Sequence, residues 1–101
     1  MKYEEAMTKA IDLARAAAVA GGDVPIGAIV LNGKGELIAT GANQRELLHD
    51  ATAHAEIIAI KRASSAQGTW RLEDCTLVVT LEPCGMCAGA IAQSRMKRVV
   101  F

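Results

Sequence analysis

Aromatic side chains are nearly missing from this chain: its 101 residues include one Trp, one Tyr and one Phe. Apolar residues still make up 51%, so a core must be built from aliphatic side chains and alanine. No excess of charge exists either, since 11 basic residues are balanced by 11 acidic ones. That argues against a strongly basic polyanion binder, although local clusters stand at Lys61-Arg62 and at Arg95, Lys97 and Arg98. No apolar run reaches the roughly 18 residues that span a bilayer. The start, Met1-Lys2-Tyr3-Glu4-Glu5, has no apolar signal core. Cysteine is scarce and odd in number, three in all, with two of them in one Cys-x-x-Cys. A disulfide framework is therefore not expected, and a reducing, cytoplasmic location with no membrane association is.

The length fits one domain, 1–101. So short a chain buries a modest share of its surface, and a bound metal or a partner subunit would add much to its stability.

What is present is a metal-ligand pattern. His54-Ala55-Glu56 is followed downstream by Pro83-Cys84-Gly85-Met86-Cys87. His54, Cys84 and Cys87 supply three zinc ligands and leave one tetrahedral position for water, the arrangement of a catalytic rather than a closed structural site. Thiolates and imidazole suit a borderline-soft ion such as zinc. Glu56, beside the ligand His but not needed as a ligand, is placed to move protons as general base and then general acid. Zinc-bound water has a pKa near about 7. His-x-Glu with Pro-Cys-x-x-Cys is the signature of zinc deaminases, which replace an amine by a carbonyl.

The pattern along the chain places these residues. Tyr3 to Ala20 reads as a helix with Met7, Ala10, Ile11, Ala14 and Ala18 at helical spacing, ended by Gly21-Gly22. Pro25 to Leu31 reads as a strand, Asn32-Gly33-Lys34-Gly35 as a hairpin turn, and Glu36 to Asn43 as the returning strand. Thr52 is a candidate N-cap for a helix over Ala53 to Ser65, with an apolar face at Ile57, Ile58 and Ile60. Cys75 to Leu81 reads as a buried strand, Cys84 to Ser94 as a third helix and Met96 to Phe101 as a fourth strand. The order αββαβαβ predicts an α/β fold of three layers, α/β/α, with a mixed sheet and helices on both faces. Strands separated by helices are expected to pair in parallel, and the first hairpin to add an antiparallel edge. His54 and Cys84 then lie at helix N-termini, where backbone N–H groups and the helix dipole favour thiolate and hydroxide. Both sit at the carboxyl ends of strands, where open α/β sheets place their ligands.

Thr52-Ala53-His54-Ala55-Glu56-Ile57 and the run from Val79 through Pro83-Cys84-Gly85-Met86-Cys87 to Ile91 resemble the two signatures of bacterial tRNA adenosine deaminases, within the cytidine deaminase-like superfamily. Val24-Pro25-Ile26-Gly27-Ala28 and the closing Arg98-Val99-Val100-Phe101 are similar to the family as well. Ala51 stands where the family usually has Pro, and Gly85 where it has a bulkier residue. The resemblance implies a zinc-dependent hydrolase converting adenosine to inosine at the anticodon wobble position of tRNA and working as a homodimer. It implies zinc on His54, Cys84 and Cys87, proton transfer by Glu56, a base contact from Asn43, and a base pocket lined by Ile26 and the backbone at Ala55. Members of that family continue beyond the last residue here, so the domain is expected to be short at its C-terminal end.

Several residues keep a second reading. Cys75 and His49 are the nominees for a fourth, closing ligand, against a small core residue and a solvated or phosphate-contacting imidazole. Asn43 also suits a loop-stabilising role, and Trp70 suits packing better than base stacking. Two other functions share these features: a deaminase of a free base or nucleoside (guanine, cytosine or cytidine), which the neutral net charge favours, and a catalytically silent zinc-binding module.

Overall fold

The computed structural model describes all 101 residues. Its elements are α1 (Tyr3–Gly21), β1 (Gly27–Leu31), β2 (Leu37–Ala42), α2 (Ala55–Gln67), β3 (Thr76–Val79), α3 (Gly85–Gln93) and β4 (Arg98–Val100). The four strands form one sheet in the order β2-β1-β3-β4. Alternation along β1 splits the core in two. Ala28 and Val30 join Leu77, Val79, Ala55, Ala59, Ala63 and Ile91 beneath α2 and α3. Ile29 and Leu31 join Val78, Ala6 and Ala10 beneath α1. The predicted three layers with helices on both faces are therefore present.

Strand direction differs from the expectation in one respect. β1 is antiparallel to both of its neighbours, β2 and β3, and only β3 and β4 pair in parallel. The β2–α2–β3 crossover does join two strands of like direction, but they flank β1 instead of touching. The hairpin has thus placed its first strand, not its second, in the interior of the sheet.

The helices also turn a different face to the sheet than their bulkiest residues suggest. α1 buries Ala6, Ala10 and Ala14, and Ile11 is exposed. α2 buries Ala55, Ala59 and Ala63, with Ile57, Ile58 and Ile60 only half-buried. Two strand glycines explain both. A Cβ on Gly27 would lie 2.0 Å from the Ala10 carbonyl oxygen, and one on Gly41 would lie 2.4 Å from the Ala55 carbonyl oxygen and 2.8 Å from the Ala59 nitrogen. Each helix backbone rests directly on a residue without a side chain, so only a small-residue stripe fits between helix and strand. Gly41 consequently fixes the height of the first turn of α2 above the sheet, and that turn follows His54.

Candidate active site and metal centre

His54 and Cys84 are the residues immediately before α2 and α3, both in extended backbone conformation. The N-cap of α2 is therefore His54 and not Thr52. The Thr52 N–H and hydroxyl instead both donate to Asp50 Oδ1, at 2.8 and 2.7 Å. This tight turn absorbs Thr52 before the helix begins, and the His54 N–H donates to the Thr52 carbonyl at 2.8 Å. Cys87 lies on the first turn of α3 and is fully buried, while Cys84 is exposed. The two helix starts meet at the rim of the sheet formed by the ends of β2 and β3.

There the three predicted donors converge. His54 Nδ1 is 3.6 Å from Cys84 Sγ and 3.5 Å from Cys87 Sγ, and all three donor atoms lie within 4.8 Å of one another. A tetrahedral zinc with Zn–S of about 2.3 Å and Zn–N of about 2.05 Å sets its nitrogen and sulfur ligands about 3.6 Å apart. Both nitrogen–sulfur pairs thus stand at the separation that zinc requires, with Nδ1 as the nitrogen that faces the sulfurs. Neither Cys75 nor His49 joins the cluster. Cys75 is buried where β3 begins, at the opposite end of the sheet, its thiol raised by burial. Three protein ligands would leave a bound zinc a fourth tetrahedral position for water or substrate.

The two thiols differ electrostatically. Cys84 is held below the ordinary thiol range, first by the Cys87 backbone N–H at the helix start. Cys87 is pushed up, first by burial and then by the charge of Glu56. Glu56 is itself only 4% exposed, and its charge acts on both thiols. A carboxylate and a thiolate do not tolerate each other in so buried a place without a cation between them. This donor set therefore fits a divalent, thiophilic ion, and zinc is the ion that Cys2His with an open position suits.

The nominated substrate contacts lie just before β1 (Ile26), just after β2 (Asn43) and at the start of α2 (Ala55). Ile26 is half-buried, and its carbonyl accepts the Asn43 N–H at 3.0 Å. The Asn43 side chain donates to the Val24 carbonyl and accepts the Arg45 N–H, both at 3.2 Å. One of its N–H groups and one lone pair stay free. Ala55 is fully buried and opens α2, so its N–H has no carbonyl one turn earlier to bond. A cleft of about 450 Å³ lies elsewhere: Lys2, Tyr3, Thr76, Lys97 and Arg98 line it at the far end of the sheet. Sequence reasoning passed over Asp23, a buried carboxylate that accepts the Glu46 N–H at 2.7 Å and the Leu47 N–H at 3.2 Å. An acid placed directly after the Gly21-Gly22 helix stop was its one visible signal.

A mixed sheet between helix layers, with two thiols and an imidazole on converging helix starts and a buried carboxylate on the next residue but one, carries the donor pattern of zinc deaminases. The chain belongs to the family of the cytidine and deoxycytidylate deaminase zinc-binding region, whose model matches residues 1–101. It is 57% identical over 81 residues to the tRNA-specific adenosine deaminase of Bacillus subtilis (strain 168), covering 79% of this chain and 49% of that one. Its fold matches the guanine deaminase of Bacillus subtilis with a TM-score of 0.94 at 40% identity, over 99% of this chain and 63% of that one. It also matches a structure from work on A-to-I editing by tRNA:A34 deaminases, with a TM-score of 0.89 at 44% identity, over 95% and 72% of the two chains. The chain spans about half the length of the curated adenosine deaminase it matches.

Proposed function

We propose that residues 1–101 form one deaminase domain that converts adenosine to inosine in the anticodon loop of tRNA. The observation that carries the chemistry is the convergence of three zinc donors, with His54 Nδ1 3.6 and 3.5 Å from the two sulfurs and the buried Glu56 two residues after His54. The choice of an adenosine in tRNA is supported by the 57% identity to the Bacillus subtilis enzyme.

His54, Cys84 and Cys87 hold the zinc, which when bound makes water acidic enough to supply a nucleophile near neutral pH. Glu56 takes the proton released by the attacking water. It delivers it to the ring nitrogen next to the reacting carbon and assists the departure of the amine. One carbon–nitrogen bond breaks, one carbon–oxygen bond forms, and ammonia leaves. The Ala55 N–H and the free half of the Asn43 amide orient the base, and Ile26 offers it an apolar wall. An anticodon loop suits such a rim site because its bases are already unpaired.

Two further features belong to this reading. The first is a homodimer. α3 (Gly-Met-Cys-Ala-Gly-Ala-Ile-Ala-Gln) contains no charged residue, yet buries only Cys87 and Ile91. Gly85, Met86, Ala88, Gly89 and Ala92 are exposed, and a helix this apolar is ordinarily covered on both sides. A second copy of the chain is the cover we propose. The second is a cytoplasmic location, which suits a zinc site that depends on reduced thiols. No helix is long and apolar enough to cross a membrane.

Deamination of a free base is the competing reading, favoured by the TM-score of 0.94 to a guanine deaminase and by the zero net charge. Ammonia release decides between them, measured on a stem-loop RNA with a wobble adenosine and on free guanine, adenosine and cytidine, with zinc determined on the same sample. Turnover of the stem-loop alone is expected. Turnover of guanine alone overturns the tRNA reading, and one zinc per chain with no turnover at all makes this chain a silent zinc module.

A further inference from the structure

Two carboxylates are buried in this chain, Glu56 and Asp23, and the reaction above uses only the first. Asp23 is 6% exposed and forms no ion pair; the chain's two salt bridges lie elsewhere. Its charge is met by backbone. Oδ1 accepts the Glu46 N–H at 2.7 Å and Oδ2 the Leu47 N–H at 3.2 Å. These amides open a single helical turn in which Leu48, His49 and Asp50 donate back to the carbonyls of Gln44, Glu46 and Arg45. Asp23 thus caps, from a distant part of the chain, a turn that has no helix to support it.

The turn needs that support. His49 within it adopts a left-handed φ of 51°, a conformation costly for a residue with a side chain. Burying a carboxylate to hold one surface turn is also costly, and a neutral side chain would serve an ordinary loop. The turn sits between two site residues. At its start, Asn43 bonds to the carbonyl of Val24, next to Asp23, and to the N–H of Arg45, next to Glu46. At its end, Asp50 organises Thr52 and so the entry to His54. Arg45 and His49 are exposed along its outer edge.

We propose that Asp23 is a positioning residue for substrate binding: it fixes the Arg45–His49 turn, and through Arg45 the Asn43 amide, in the conformation that receives the RNA strand. This rests on the reading of RNA as substrate. Asp23 touches neither the metal donors nor the reacting atoms, so its removal acts on substrate affinity and not on the chemical step.

The test uses zinc-loaded protein and Asp23→Asn, which keeps the shape but turns an amide donor toward one of the two N–H groups. Amide exchange at Glu46 and Leu47 is expected to quicken at least about tenfold, with Val30 and Leu77 in the sheet unmoved. KM for the wobble-adenosine stem-loop should rise about tenfold, with kcat within about twofold and one zinc per chain. Glu46→Pro, which deletes the N–H that Oδ1 accepts and leaves Asp23 in place, should raise KM likewise and serves if Asp23→Asn fails to fold. Unchanged amide exchange, or a fall in kcat at constant KM, overturns the proposal. If the wild type turns over the stem-loop but both variants bind it equally well, Asp23 alone is wrong. If the zinc-loaded wild type does not turn over the stem-loop, the RNA reading fails and the proposal falls with it.

Discussion

Gly41→Ala is the substitution that most directly joins the packing of this fold to its metal centre. The added methyl would stand 2.4 Å from the Ala55 carbonyl oxygen and 2.8 Å from the Ala59 nitrogen, where real Cβ contacts below 3.0 Å are essentially never seen. Both atoms are backbone, so no side chain can swing away, and α2 must retreat by at least the 0.6 Å between 2.4 and 3.0 Å. Overpacking of this kind costs about 1–3 kcal/mol. For a chain of this size, about 2 kcal/mol lowers Tm by roughly 8–16 °C. The retreat also carries His54, the residue before Ala55. Its Nδ1 now stands 3.5 and 3.6 Å from the two sulfurs, and metal–ligand distances tolerate only about 0.2 Å of error. Zinc affinity should fall at least about tenfold.

Urea unfolding of the metal-free protein and competition with a chelator measure the two effects separately. Gly27→Ala is the control. Its methyl would meet the Ala10 carbonyl oxygen at 2.0 Å, so stability should fall at least as much, but α1 carries no ligand and zinc affinity should hold. A Gly41→Ala protein with wild-type stability would refute the seating of α2 on the sheet. Lost stability with intact zinc affinity would refute the link from that seating to His54. Equal loss of affinity in both variants would mean that general instability, not the position of α2, governs the metal.

Glu56→Ala should lower deamination at least about a hundredfold while one zinc per chain remains; loss of the metal in that variant would make Glu56 a structural support of the centre. Burial and the Glu56 charge raise the Cys87 thiol, so the metal-free fold binds that proton more tightly than the unfolded chain does. Its stability is complete below the ordinary thiol range and declines as pH climbs through and beyond it. Bound zinc takes the thiolate and should abolish the decline, which urea midpoints at about pH 7 and about pH 10, with and without zinc, would show. Ala92→Glu places a charge on the exposed apolar side of α3 and should shift sedimentation from dimer to monomer. A dimer of unchanged affinity would move the interface off that helix.

The donors were legible in the sequence because their identity and their place arise from the same short segments. His54, Cys84 and Cys87 had to be soft or borderline ligands, and a helix that starts beside each segment needs no long-range information to be recognised. The layered α/β architecture was legible from the alternation of strand-like and helical segments. What failed depended on contacts between distant residues. The outward turn of Ile11 and the half-burial of Ile57, Ile58 and Ile60 follow from Gly27 and Gly41, which lie on other elements; hydrophobic spacing within one helix cannot see a missing Cβ on a strand. The central place of β1 likewise depends on which side of the hairpin β3 joins, a choice left open by the order of elements. Asp23 was silent for the same reason, since its partners Glu46 and Leu47 follow more than 20 residues later. Residues that bear the chemistry announce themselves by type, and residues that hold them in place do so by what they touch. A substitution that harms this protein without altering a ligand should therefore be sought first at Gly41 and Asp23.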